Sequence, residues 1–230
     1  MTAPRTAPAE RAIGVILPSS NRVVERATMS LLLTSPGVDA CFARVPYFGN
    51  GQGQPENGYD ERSFLTAAEL LAQAQVQAIC WNATRGAAIG FALDIALCER
   101  VERHVGIPMV TTALAVLDEF NRRRIRRIAL VTHGTPAQGQ VFKDRFAEQG
   151  VSSTAELHLG YTDNFSAARA PAQPIIDFAR DVANRDVADA LLIWSTNLPG
   201  YRFSSDLELE SSLLVIDSAT LGIQATLRII

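Results

Sequence analysis

Two short apolar runs, each ending abruptly in polar residues, constrain the fold of this chain more than any other feature. Leu191, Leu192, Ile193 and Trp194 run into Ser195, Thr196 and Asn197; Ile79, Cys80 and Trp81 run into Asn82, Ala83, Thr84 and Arg85. An apolar run of this length without polar alternation marks a strand buried on both faces, as in a parallel sheet. Polar side chains at the tip of such a strand stand where open α/β sheets bind ligands. The same design occurs in both halves of the chain, so two sheets are expected rather than one.

The rest of the sequence alternates strand and helix around these runs. Apolar strands are expected over Ala12–Leu17, Asp39–Val45 and Val76–Trp81, with a short one from Pro108 to Val110. Helical stripes fall over Val23–Leu33, with Asn21 as its cap, then Glu61–Gln75 and Ala87–Val105. Thr112–Arg123 opens a second series, with strands within Ile125–Thr132, over Ser153–Leu159, Leu191–Trp194 and Leu213–Ile216. Its helices are Ala137–Gln149, closed by Gly150, then Ala172–Arg185, Asp206–Ser212 and Ser218–Arg228. A loop rich in Gly and Asn spans Gly49 to Gly58.

The pattern predicts an α/β protein of two pseudo-symmetric, flavodoxin-like lobes with parallel sheets and an active-site cleft between them. The first lobe is expected to comprise residues 12–115 plus 214–230, and the second 116–213, after a flexible N-terminal segment, 1–11. Four polar clusters then reach the cleft from strand tips: Ser19–Asn21, Asn82–Arg85, Thr132–Thr135 and Ser195–Asn197.

Composition narrows the function classes. A net charge of −3 on 230 residues gives no electrostatic reason to bind nucleic acid or an anionic membrane. The arginines Arg122, Arg123, Arg124, Arg126 and Arg127 have no interleaved aromatics and read as a solvated helix end. Asp94 interrupts the most apolar helix, so no segment reaches the length of a membrane span, and the cytoplasm is the expected location. Cys41, Cys80 and Cys98 lie in apolar contexts and read as reduced core residues, and His104 and His158 lack ligand-like spacing. No dinucleotide or phosphate-loop fingerprint occurs. No metal or cofactor is therefore expected, and further copies of the chain in a homo-oligomer are the expected partners.

Several phrases carry a family likeness: Ile13-Gly-Val-Ile-Leu-Pro-Ser-Ser-Asn21, Thr111-Thr-Ala-Leu-Ala-Val-Leu117, Ile128-Ala-Leu-Val-Thr132, Asp189-Ala-Leu-Leu-Ile-Trp-Ser-Thr-Asn-Leu198 and Ala219-Thr-Leu221. Through them the chain, from about Ile13 to its end, resembles the aspartate/glutamate racemase superfamily, and within it the maleate cis-trans isomerases and arylmalonate decarboxylases. The isomerases of that family place one cysteine at each of two strand tips. Here those positions are Ala83 and Ser195, and the family tyrosine after the central strand falls at Gly134, beside His133. The binding positions are better preserved. The resemblance implies that Asn21 holds a substrate carboxylate, that Asn164 contacts the ligand, and that Thr84, Thr196 and Asn197 keep the donors flanking the tips. Ser20, Arg85, Ala83 and Gly134 complete the expected binding set.

Three functions follow from these residues. The first is a cofactor-independent isomerase or lyase acting on a small carboxylate or dicarboxylate, with Ser195 near the reacting carbon. The second is a hydrolase in which His133 serves Ser195 as base and Asp217 orients the histidine. The third is a catalytically lapsed carboxylate-binding protein.

Overall fold

The computed structural model describes residues 9–48 and 52–230. Residues 1–8 of the expected N-terminal segment, and 49–51 of the glycine-rich loop, lie outside the described residues. Arg11, expected in that segment, already belongs to the first strand.

The first half contains β1 (Arg11–Pro18), α1 (Val24–Leu32), β2 (Val38–Val45), α2 (Glu61–Gln73), β3 (Ala78–Trp81), α3 (Arg85–Ile89), α4 (Phe91–Val105) and β4 (Met109–Thr111). The second contains α5 (Thr112–Arg123), β5 (Arg127–Thr132), α6 (Pro136–Ala147), β6 (Ser152–His158), α7 (Asn164–Ala167), α8 (Gln173–Arg185), β7 (Ala190–Ile193), α9 (Ser204–Ser211), β8 (Leu214–Asp217) and α10 (Ser218–Leu227). The order is β2-β1-β3-β4 in one sheet and β6-β5-β7-β8 in the other, all parallel. The two lobes thus repeat one topology. In each, the order reverses between the first and third strands, which is where doubly wound sheets open a crevice at their carboxyl ends.

The apolar runs became strands because both faces are covered. Every residue of β3, Trp81 at its tip included, and of β7 is buried, and so is Trp194 just past the end of β7. The helix expected over Ala87–Val105 is two helices. Gly90 sits between them at φ +113°, a conformation L side chains rarely adopt, so the short α3 is turned to meet the tip of β3.

Residues 214–217 differ from expectation: they are the edge strand of the second sheet, paired in register with β7 from Ala190↔Leu214 to Ile193↔Asp217. The chain returns to the first lobe one element later, at α10. There Ile223 packs with Ile13, Val15, Leu17 and Cys80. In exchange, α5 follows the last strand of the first sheet but lays Val116 and Phe120 against Ile128, Leu130 and Trp194 of the second lobe. The lobes are therefore laced together by a helix from each side. Among the described residues, no helix is long and apolar enough to cross a membrane.

Candidate active site

The carboxyl ends of the two sheets face one cavity of about 230 Å³. The first lobe supplies Pro18 from the end of β1, Tyr47 and Phe48 from beyond β2, and Ala83, Thr84, Arg85 and Ala88 from beyond β3. The second supplies Thr132, His133 and Gly134 after β5, Gln138, Val141 and Phe142 on α6, Asn164 at the start of α7, and Ser195, Thr196 and Asn197 after β7. Every expected site residue except Ser20, Asn21 and Asp217 is in this lining. Tyr47, Phe48, Val141 and Phe142 were not anticipated; the only sequence signal was an aromatic pair directly past a strand.

Ser20 and Asn21 lie one layer behind the wall. The Asn164 side-chain amide donates to Ser20 Oγ at 2.7 Å, and Ser20 Oγ donates to the Tyr47 carbonyl at 2.9 Å. Asn21 Nδ2 donates across the lobes to the Thr196 carbonyl and to Thr196 Oγ1, both at 3.1 Å. Its Oδ1 accepts from the amides of Val23 and Val24 at 2.8 and 2.9 Å. An amide side chain has two donor hydrogens and two acceptor lone pairs, and here all four are used. Asn21 is thus a tie between lobes in this structure, its hydrogen-bonding positions all taken by protein groups. Asn21→Ala is expected to lower stability by about 2–4 kcal/mol through these buried groups losing their partner, read as a fall in C_m by urea unfolding at constant m.

Arg85 is the cation of the cavity, 8% exposed. One end of its guanidinium is fixed by the carbonyls of Pro55, Glu56 and Gly58, and its Cζ lies 5.1 Å from the Tyr47 ring centroid and 5.9 Å from that of Tyr59. Its Nε is buried with no protein partner. Beneath it, the buried Asp94 accepts from the Tyr59 hydroxyl, and burial pushes the Asp94 carboxyl up to about 6 despite the opposing pull of hydrogen bonds and Arg85.

On the facing side, His133 is largely buried, which holds its pKa below the usual histidine range, and its Nδ1 has no partner. Ser195, 1% exposed, accepts from the Asn197 amide at 3.3 Å, while Asn197 Oδ1 is buried and unpartnered. No hydrogen bond joins Ser195 to His133 among the described residues.

The third member of the expected Ser-His-Asp arrangement is elsewhere. Asp217 ends β8, two strands away from β5, a span of roughly 10 Å. Its carboxylate caps α10 by accepting from the Thr220 amide at 3.1 Å. Burial raises its pKa from 3.8 to about 7, against the hydrogen bonds from Thr220 and Ala219 that lower it. A carboxyl whose folded pKa is raised contributes stability that is complete below its unfolded value and is lost as pH rises through the folded value. Asp217→Asn keeps the capping oxygen but cannot ionise. Its melting temperature is therefore expected to exceed that of the parent protein at pH 8, with the gap narrowing at pH 5, in paired calorimetric scans.

The cysteines stay outside this cavity. Cys80 is buried within the first lobe, its thiol pushed up to about 12 by burial, and burial likewise raises Cys41 and Cys98.

The architecture has close counterparts. A liganded arylmalonate decarboxylase carrying Gly-to-Cys and Cys-to-Ser substitutions superposes with a TM-score of 0.79 at 21% identity, over 95% of this chain and 92% of that one. The maleate cis-trans isomerase of Nocardia farcinica, bound to TRIS, gives 0.81 at 22% identity over the same shares, and the maleate isomerase of Pseudomonas putida S16 gives 0.77 at 19%. These likenesses carry the fold. A search of curated proteins gave no match. At the sequence level, the family model described as arylmalonate decarboxylase matches residues 53–230, which include both lobes' principal strand tips. The chain belongs to the arylmalonate decarboxylase family, within the aspartate/glutamate racemase superfamily.

Proposed function

We propose that the chain is a cofactor-independent lyase that removes carbon dioxide from a small malonate-type diacid. The observation that carries this reading is the cavity's inventory: hydroxyls, amides, an imidazole and a buried guanidinium, without a thiol. Isomerising a carbon–carbon double bond by thiolate addition needs a nucleophile at a strand tip, and Ala83 offers a methyl group. Decarboxylation needs none. It needs donors for the carboxylate that is retained, a setting in which the other carboxylate is poorly solvated, and one proton for the carbon.

The lining supports the first two requirements. Thr84, Ser195 and Thr196 hydroxyls, the Asn164 and Asn197 amides and the Arg85 cation converge where an enediolate would develop charge, an arrangement that stabilises such a transition state. Pro18, Tyr47, Phe48, Ala88, Val141 and Phe142 form an apolar wall. A carboxylate pressed against that wall loses hydration, and its departure as carbon dioxide relieves the cost. His133, held below the usual histidine range by burial, is neutral near pH 7 and acts as a hydrogen-bonding group on the substrate.

The test is direct: incubate the protein separately with an α-substituted malonate and with maleate, following carbon dioxide release and proton NMR. Release from the malonate with no fumarate from maleate is expected. Fumarate formation without carbon dioxide release would overturn the reading. Because a serine hydroxyl is a far weaker acid than a thiol, Ser195→Cys is expected to raise carbon dioxide release about tenfold or more, by placing an acid of pKa about 8.5 beside the reacting carbon.

A further inference from the structure

The proposed lyase needs a proton for its carbon, and among the described residues Ser195 Oγ makes no hydrogen bond to a proton-carrying side chain. A connected chain of proton-carrying groups reaches the cavity from a different wall. Thr132, the last residue of β5, lines the cavity and is paired in register with His158, the last residue of β6. Thr132 Oγ1 lies 2.7 Å from His158 Nδ1, and His158 Nε2 lies 3.1 Å from Glu156 Oε2. Glu156, two residues earlier on the same face of β6, is paired with Lys143 Nζ at 2.6 Å. Burial alone would raise the Glu156 carboxyl, but hydrogen bonds and charge from Lys143 and His158 outweigh it and hold the group ionised.

Space for the imidazole has been made by the facing helix. A Cβ on Gly139 of α6 would come within 2.0 Å of His158 Cε1, so the ring occupies the volume that any other residue there would fill. His158 is thus locked between a carboxylate and a cavity-lining hydroxyl, the acid–imidazole–hydroxyl order used for proton transfer on unrelated folds.

Resting on the lyase reading, we propose that Glu156, His158 and Thr132 form a proton relay, with Thr132 as the residue that hands the proton to the substrate carbon. An ionised Glu156 can only accept, so His158 Nε2 carries hydrogen. In the resting state Nδ1 then accepts from the Thr132 hydroxyl. When His158 is charged, Nδ1–H donates to Thr132 Oγ and the hydroxyl hydrogen turns to the cavity. After carbon dioxide leaves, the carbanion takes that hydrogen and a C–H bond forms. Thr132 Oγ takes the hydrogen from Nδ1 as that N–H bond breaks. His158 is left neutral, its Nε2–H still donated to Glu156, and Nδ1 is recharged by the reverse steps once product has left: water in the cavity gives a proton to Thr132 Oγ as the hydroxyl hydrogen passes to Nδ1.

The experiment compares Thr132→Val, Thr132→Ser and His158→Gln in the full chain, with an α-substituted malonate as substrate. Thr132→Val and His158→Gln are each expected to lower kcat about 100-fold or more, with KM within about twofold, and Thr132→Ser to retain most of the rate. The Thr132→Val, His158→Gln double variant should be no slower than either single one, because one pathway has been cut twice. Undiminished kcat in Thr132→Val, or additive losses, would overturn the relay. Should the parent protein release no carbon dioxide, the lyase reading itself fails. The relay is then judged by ¹⁵N NMR of the histidines, where it requires an Nε2–H tautomer at His158 and an Nδ1 signal that moves in Thr132→Val. An Nδ1–H tautomer in the neutral ring would reject it.

Discussion

Arg85→Ala is expected to lower kcat/KM for an α-substituted malonate by roughly 30-fold or more, an effect of about 2–5 kcal/mol for removing a buried charge from its charged partner. Two consequences combine in that figure. The cavity loses its cation, the charge in its lining that attracts a carboxylate. The carbonyls of Pro55, Glu56 and Gly58 also lose their shared donor, and the Tyr47 ring, part of the cavity wall, loses the cation over its face. Arg85→Lys should restore little, since an ammonium cannot reproduce a planar fork that holds three carbonyls and still presents another N–H. Steady-state kinetics with isothermal titration of a non-reacting diacid separate the two contributions. Unchanged diacid affinity in Arg85→Ala would show that the cation serves the loop and not the ligand.

The second large effect is on stability. Trp194→Ala is expected to cost about 3–5 kcal/mol, the usual range for deleting a buried aromatic side chain. Trp194 has no exposed surface and meets Phe146 edge-on at 5.2 Å between centroids and Phe142 at 6.4 Å. Phe142 lines the cavity and Ser195 is the next residue in the chain, so the void would open directly behind the site. Activity should fall before global unfolding, with urea denaturation giving a lowered midpoint. Trp194→Phe leaves a smaller void and should lose correspondingly less. A Trp194→Ala midpoint within about 1 kcal/mol of the parent would mean that Phe142 and Phe146 collapse into the gap.

Why some of this was legible in the sequence and some was not has physical reasons. The strands β3, β5 and β7 are covered on both faces, so their residues had to be apolar without interruption, and that pattern is visible in one dimension. Their tips followed, because a polar residue after such a run has few other places to go. The lobe to which Leu214–Asp217 belongs was not legible. A four-residue apolar strand fits either sheet edge, and its choice depends on pairing with Ala190–Ile193. Gly90 could not be read as a break, since glycine within an apolar stripe is also tolerated inside helices. Asn21 and Asp217 were assigned chemistry although each is spent on the protein itself, one across the lobes and one on a helix start. His158 was passed over for a related reason. Its partners Thr132 and Gly139 are set by parallel register and helix packing, and spacing along the chain carries no trace of either.

The pair of buried indoles has a practical consequence. Trp81 and Trp194 are the protein's two tryptophans, one in each half, each within two residues of the cavity lining. Each lobe therefore carries its own fluorophore, packed against different aromatic neighbours, Phe64 and Tyr59 for one and Phe142 and Phe146 for the other. With either indole replaced by phenylalanine, emission from the survivor reports on a single half. Ligand arrival and the order in which the halves melt can then be followed optically without any added label.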